Sequence, residues 1–237
     1  MLSCPYSIRL IEKLKSLDSG GGGVLNFDLI NDAIHWAKKY HDVQVRKSGE
    51  PFYTHVLEVA YMVSDYSLKT DVIVASILHD IVEDTEVTIG MVLDSFGWRV
   101  AEMVDRLTRD RPDKSKLSVE AMLHYARQNN DREVILIKVI DRLHNLRTIR
   151  CLPAKKQKEK IAETVKNFLI LAEEFSLSQH GTNLYTECLK LNIELGVVAA
   201  SDIKKRESVF DERPVLPLLA RQNTRLLNSI DLLPGPI

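Results

Sequence analysis

The stretch Ser76-Ile-Leu-His79-Asp80-Ile-Val-Glu83-Asp84-Thr85 sets a histidine–aspartate pair and an acidic pair inside an apolar helical pattern. Read as one helix over 71–84, it places His79 one turn from Glu83 and Asp80 one turn from Asp84, so that four polar groups project from adjacent stripes. Val72, Val74, Ala75, Ile77, Leu78, Ile81 and Val82 surround them, and such a helix is expected to be mostly buried. Buried charges are costly unless paired or bound to a metal. An imidazole beside a carboxylate, with a second acidic pair close by, suits a divalent metal that activates water. The competing reading is a surface helix whose polar groups serve only as caps and ion pairs.

Upstream, Phe27 to His41 has a helical apolar face (Ile30, Ala33, Ile34, Ala37) with Asn26 as its cap. Next comes the basic loop Val45-Arg46-Lys47-Ser48-Gly49-Glu50-Pro51, punctuated by Gly49 and Pro51. Thr54 is expected to cap a helix over 56–64, which puts His55 in its first turn, at the end of the loop. Before these, 7–17 reads as a short amphipathic helix, and the four glycines 20–23 as a flexible connector.

Downstream, Thr88 caps a helix that Gly97 ends, and 100–107 and 119–128 are helical. The charged segment 108–116 between these two is a solvated loop or a flap over a site. The run Glu133-Val-Ile-Leu-Ile-Lys-Val-Ile-Asp141-Arg142-Leu-His144-Asn145-Leu-Arg-Thr148-Ile-Arg150 is long enough to favour a helix over a strand. On it Asp141, Asn145 and Thr148 form a polar stripe at i, i+4 and i+7. Buried polar groups need partners, and a metal at Asp141 with a ligand at Asn145 and Thr148 would supply them; a stripe facing water is the alternative. Further helices are expected over 161–175 and 184–195. Past Ala200 the pattern weakens, and Pro214, Pro217, Pro234 and Pro236 break up the rest. Strand signals are weak throughout, so the expected fold class is all-α, organised as 1–25 (helix and connector), 26–198 (the main domain) and 199–237 (an irregular tail).

The bulk composition narrows the function classes. With 32 basic and 33 acidic residues, no global positive field argues for nucleic-acid binding. A local basic cluster can still hold a small anion. Cys4, Cys151 and Cys188 form no CxxC pattern and read as free thiols in a reducing compartment. No apolar run is long enough to span a membrane, and the N-terminus lacks the features of a signal peptide, so a cytoplasmic protein is expected.

His55, the His79-Asp80 pair and Asp141 thus occur on three separate predicted helices. The order resembles the HD phosphohydrolase superfamily. More narrowly, Arg46-Lys-Ser-Gly-Glu-Pro-Phe-Tyr-Thr-His55, Leu78-His-Asp-Ile-Val-Glu-Asp-Thr85 and Ile137-Lys-Val-Ile-Asp-Arg-Leu-His-Asn-Leu-Arg-Thr148 resemble the hydrolase domain of the RelA/SpoT alarmone enzymes. The resemblance implies an HD-domain helical bundle holding one Mn²⁺ on His55, His79, Asp80 and Asp141. It implies that Glu83 and Asp84 position and activate the attacking water. Arg46, Lys47, Ser48, Asn145 and Thr148 would contact the nucleotide, with Arg142 and His144 as supporting residues. The implied reaction is removal of the 3′-pyrophosphate from ppGpp or pppGpp, giving GDP or GTP and pyrophosphate.

Two departures qualify the match. Asp105-Arg-Leu-Thr-Arg109 replaces the family's usual Gly-Val-Thr-Lys form, and too little chain follows residue 180 for the synthetase domain of the long enzymes. The resemblance therefore implies a small single-function hydrolase, or a piece of a split longer one. HD chemistry on another nucleotide phosphate such as NADPH, and a non-catalytic alarmone sensor, are the alternatives. The oligomeric state is left open.

Overall fold

The computed structural model describes residues 4–21, 23–110, 115–174 and, beyond them, 183, 184, 186–188, 190, 191 and 194. Among these residues the named elements are all helices, and the only β features are two isolated bridges, Val45 with Pro51 and Asp110 with Lys116. The all-α expectation holds. The chain divides into two compact units, Met1–His144 and Asn145–Ile237. The expected helix over 184–195 lies partly, and the tail 199–237 wholly, outside the described residues.

The first unit is built around α4 (Thr70–Leu78). Every residue from Val72 to Leu78 is buried, as expected of a helix that is apolar all round. It packs against α2 (Phe27–Tyr40), α3 (Phe52–Val63) and α7 (Trp98–Leu107), while α1 (Pro5–Gly21) lies on α3. Completely burying a Val, Ile or Leu is worth roughly 1.5–3 kcal/mol, so Val72, Ile73, Val74, Ile77 and Leu78 make α4 the axis of the unit. The polar Ser76 is tolerated there because its hydroxyl donates to the Ile73 carbonyl at 2.7 Å.

Several boundaries differ from the sequence expectation, each for a local reason. The helix read over 71–84 is broken in two. α4 stops at Leu78, and α5 (Ile81–Asp84) is a separate single turn. The His79 Nδ1 donates to the Ser76 carbonyl at 2.8 Å, and Asp80 takes φ −106°, ψ −2°, outside helical geometry. The break separates His79 from the turn that carries Glu83, whereas Asp80 and Asp84 remain one turn apart, with the Asp84 N–H donating to the Asp80 carbonyl at 3.0 Å.

The third helix starts at Phe52, earlier than expected, so Thr54 lies inside it rather than capping it; its hydroxyl donates to the Pro51 carbonyl at 2.8 Å. α1 continues into the glycine run, through Gly21. Asn26 and Thr88 do cap: they accept from the Leu29 and Met91 amides ahead of α2 and α6 (Ile89–Phe96). Gly97, at φ +82° between α6 and α7, occupies the left-handed region that favours glycine. α8 covers Val119–Gln128.

α9 (Arg132–Arg147) begins in the first unit and ends in the second. It stops before Thr148, which precedes a single 3₁₀ turn, Ile149–Cys151. The stripe Asp141–Asn145–Thr148 is thus not carried by one continuous helix. In the second unit, α10 (Ala154–Glu174) is one long helix that includes the basic run 155–160. Among the described residues, no helix is long and apolar enough to cross a membrane. Cys4, Cys151 and Cys188 are free thiols.

Candidate metal centre

Three elements of the first unit bring four side chains together. α3 supplies His55, the break after α4 supplies His79 and Asp80, and α9 supplies Asp141. One ligand atom from each lies within 4.8 Å of all the others. The His55 Nε2 is 3.2 Å from Asp141 Oδ1 and 3.7 Å from Asp80 Oδ2. The His79 Nε2 shows the reverse pattern, 3.1 Å from Asp80 Oδ2 and 3.7 Å from Asp141 Oδ1. The broken helix is what permits this: the turn at His79–Asp80 lets two consecutive residues face one point.

The imidazoles are held in ligand-ready form. Donation from the His79 Nδ1 to the Ser76 carbonyl leaves the lone pair of the neutral ring on Nε2. That Nε2 is buried and makes no hydrogen bond of acceptable geometry, although carboxylate oxygens stand near it. The His55 Nδ1 is 2.9 Å from the His144 Nδ1. With His55 coordinating through Nε2, its Nδ1 donates and His144 accepts. An orphaned buried nitrogen facing two carboxylates fits a divalent cation with mixed N/O ligands.

The charge balance points the same way. Burial opposes ionisation of Asp80 and Asp141, yet the neighbouring His79 and Lys138 hold both carboxyls well below the usual range. Burial likewise opposes charging of His79, but Asp80 and Asp141 outweigh it and raise the imidazole to about 10. His55 moves the other way: burial dominates and lowers it. The buried Asp141 and the partly buried Asp80 thus demand a positive charge between them, which a proton on His79 supplies when no cation does. Lys138 adds a further one, with Nζ 3.6 Å from Asp141 Oδ2.

The remaining predicted site residues fall into three groups. Glu83 and Asp84 lie on α5, at the edge of the cluster. The Glu83 Oε1 is 2.7 Å from Lys116 Nζ and 3.5 Å from Arg109 Nε. Burial, with Asp80 and Glu83 nearby, pushes the Asp84 carboxyl up to about 6. Arg46, Lys47 and Ser48 sit in a tight turn, in which the Arg46 N–H donates to the Glu50 carbonyl at 2.9 Å and the Gly49 N–H donates back to the Arg46 carbonyl at 2.9 Å. Ser48 donates to the Glu50 carboxylate, which lowers its pKa. Gly49, at φ +99°, makes the reversal possible.

Arg142 is buried on α9. Asn145 lies in its last turn and Thr148 just beyond, both at the start of the second unit. Sequence reading passed over Lys138, Arg109, Lys116, His41 and Gln44. Lys138 was detectable as a lone charge in the apolar run 134–140. The partnership of Lys116 and Arg109 with Glu83 joins segments distant in sequence and had no local signature.

Comparison with known proteins agrees with this geometry. The HD domain family profile matches residues 33–174. A probable GTP pyrophosphokinase of Mycobacterium leprae is 35% identical over 158 residues, covering 65% of this chain and 20% of that protein. A probable guanosine-3′,5′-bis(diphosphate) 3′-pyrophosphohydrolase of Mycoplasma genitalium is 27% identical over 222 residues, 89% of this chain and 30% of that protein. The chain therefore spans less than a third of either relative. Among solved structures, a metazoan orthologue of SpoT, described as hydrolysing ppGpp, superposes with a TM-score of 0.55 at 22% identity, covering 72% of this chain and 97% of that one. With its fold and its His/His/Asp/Asp cluster, the chain belongs to the HD-domain family, and the relatives it resembles are proteins of the RelA/SpoT type.

Proposed function

We propose that the protein is a Mn²⁺-dependent hydrolase that removes the 3′-pyrophosphate of ppGpp or pppGpp, acting in the cytoplasm through a domain spanning 26–198. The observation that carries the proposal is the buried His55/His79/Asp80/Asp141 cluster with Asp84 beside it. On this reading His55, His79, Asp80 and Asp141 would hold Mn²⁺, each offering one ligand atom. Bound there, the ion offsets phosphate charge, polarises the phosphorus centre and makes a nearby water more acidic.

The chain's own residues do the rest. Asp84, whose carboxyl titrates near 6, accepts the proton of the attacking water; a base poised close to the working pH is effective for that transfer. The water oxygen bonds to phosphorus, the bond from phosphorus to the 3′-oxygen breaks, and that oxygen takes up the proton that Asp84 accepted, directly or through water. GDP or GTP leaves with pyrophosphate. Glu83, restrained by Lys116 and Arg109, orients the water. The Arg46 guanidinium stacks on guanine, Lys47 and Ser48 add polar contacts, and Asn145 and Thr148 contact the nucleoside. His144 fixes the His55 tautomer through its 2.9 Å contact, and Arg142 supports the same helix.

Incubating purified protein with ppGpp, with and without Mn²⁺, and separating products by chromatography tests the proposal. Release of GDP and pyrophosphate in equal amounts, only with Mn²⁺, is expected. Intact ppGpp in the presence of Mn²⁺ would reject it.

A further inference from the structure

His41 ends α2 and is wholly buried, although nothing in the proposed chemistry uses it. Its Nδ1 is 2.8 Å from Gln44 Oε1, and Gln44 Nε2 donates to the main-chain carbonyl of Asp84 at 2.6 Å. The direction of both bonds follows from chemistry alone. A carbonyl only accepts, so Gln44 turns its amide nitrogen to Asp84. Its own carbonyl then faces His41, and the His41 Nδ1 must carry the proton. The Gln44 backbone is also pinned: its N–H donates to the His41 carbonyl at 3.1 Å, and its carbonyl accepts from Phe52 at 2.9 Å. The His41 ring packs on Phe52, whose ring meets His55 edge-on.

The far end of this chain is an element poorly able to hold itself. α5 is a single four-residue turn. One turn fixes several dihedrals for very few hydrogen bonds, and its last carbonyls have no partner within the helix. Thr85, immediately after, is extended. The Gln44 amide supplies one of the missing donors from outside.

We propose that His41 and Gln44 are positioning residues for the acidic pair: a chain of fixed polarity from the end of α2 to the Asp84 carbonyl that keeps the Asp84 carboxylate in line with the attacking water. The inference rests on the hydrolase reading above. The competing role is to shape the Arg46–Ser48 turn, since Gln44 is its near neighbour in sequence. The two roles differ in what they affect, catalysis in one case and nucleotide binding in the other.

Gln44→Ala and His41→Phe should each lower kcat on ppGpp roughly 10–100-fold, the usual cost of losing an orienting partner, while KM and Mn²⁺ stoichiometry stay unchanged. His41→Asn, whose amide nitrogen stands where Nδ1 does, should recover most of the loss. A raised KM with kcat intact in Gln44→Ala would assign the pair to the nucleotide loop and overturn the proposal. His41→Asn as impaired as His41→Phe would overturn it too. Independently of turnover, ¹⁵N chemical shifts of His41 in metal-free protein should report the Nδ1–H tautomer. An Nε2–H tautomer in an active enzyme overturns this chain alone, whereas a wild-type protein inert toward ppGpp overturns the hydrolase reading and the chain's role with it.

Discussion

Two clusters of charge lie at the two ends of α4, and they are built on opposite principles. Before its start, a ladder of ion pairs joins Lys69 and α7 to the beginning of α9. Lys69 bonds Glu133 at 2.8 Å, and Arg99 reaches Glu102 at 2.8 Å and Glu133 at 3.5 Å. Arg106 bonds Glu102 at 2.6 Å and also pairs with Asp131. About 12 Å further along, at a rise of 1.5 Å per residue, lies the His55/His79/Asp80/Asp141 cluster. The ladder is mostly half-exposed and pairs its charges directly. The cluster is buried, sets two carboxylates close together, and leaves the His79 Nε2 without a hydrogen bond. The ladder pairs its charges directly, whereas the cluster is balanced by a proton on His79 that a bound cation can replace. A set of side chains arranged this way can give up stability for a binding site.

Substitutions should separate the two. The largest effect is expected at the cluster: Asp141→Ala or Asp80→Ala abolishes both Mn²⁺ binding, by calorimetry, and ppGpp turnover. Next comes Asp84→Asn, which keeps the metal but lowers kcat by roughly 10²–10⁴-fold, the usual contribution of a general base. Its pH dependence sharpens the assignment. The Asp84 carboxyl is raised to about 6, so it is protonated and unable to accept a proton below that pH and ionised above it. A cation bound at Asp80 favours the ionised carboxyl, so wild-type kcat should climb as pH rises through a value at or below about 6, and a climb of the same size in Asp84→Asn would remove Asp84 from that role.

The ladder should respond in stability alone. Asp131 has a side chain only 2% exposed and pairs with Arg106. Asp131→Ala should cost about 1.5–3 kcal/mol, the range for a hydrogen bond to a charged group, in urea denaturation, with kcat per folded molecule unchanged. Arg99, more than a third exposed, is the smallest case: Arg99→Ala should cost no more than about 1 kcal/mol. A loss of Mn²⁺ binding in either ladder variant would show that the two clusters are not independent.

The sequence made the chemistry of the cluster legible better than its geometry. His55, His79, Asp80 and Asp141 carried an identifiable spacing and motif, and the fold brings all four together. The helical character of their surroundings followed from the apolar runs. What the periodicity hid was the break at His79–Asp80. An apolar pattern continues through it from Val72 to Val82, while the interruption comes from the bond between the His79 ring and the Ser76 carbonyl. The early start of α3 was hidden in the same way, because Thr54 looks like a cap but its hydroxyl turns back to the Pro51 carbonyl. Contacts between distant segments, Lys116 with Glu83 and Gln44 with Asp84, have no local pattern and needed the fold.

The most direct test of the account is a calorimetric titration of metal-free protein with Mn²⁺, paired with GDP release from ppGpp at each point. Binding of a single equivalent, with hydrolysis rising in proportion and both lost in Asp141→Ala, is the predicted result. Hydrolysis that proceeds without metal, or Mn²⁺ binding that survives Asp141→Ala, would contradict it.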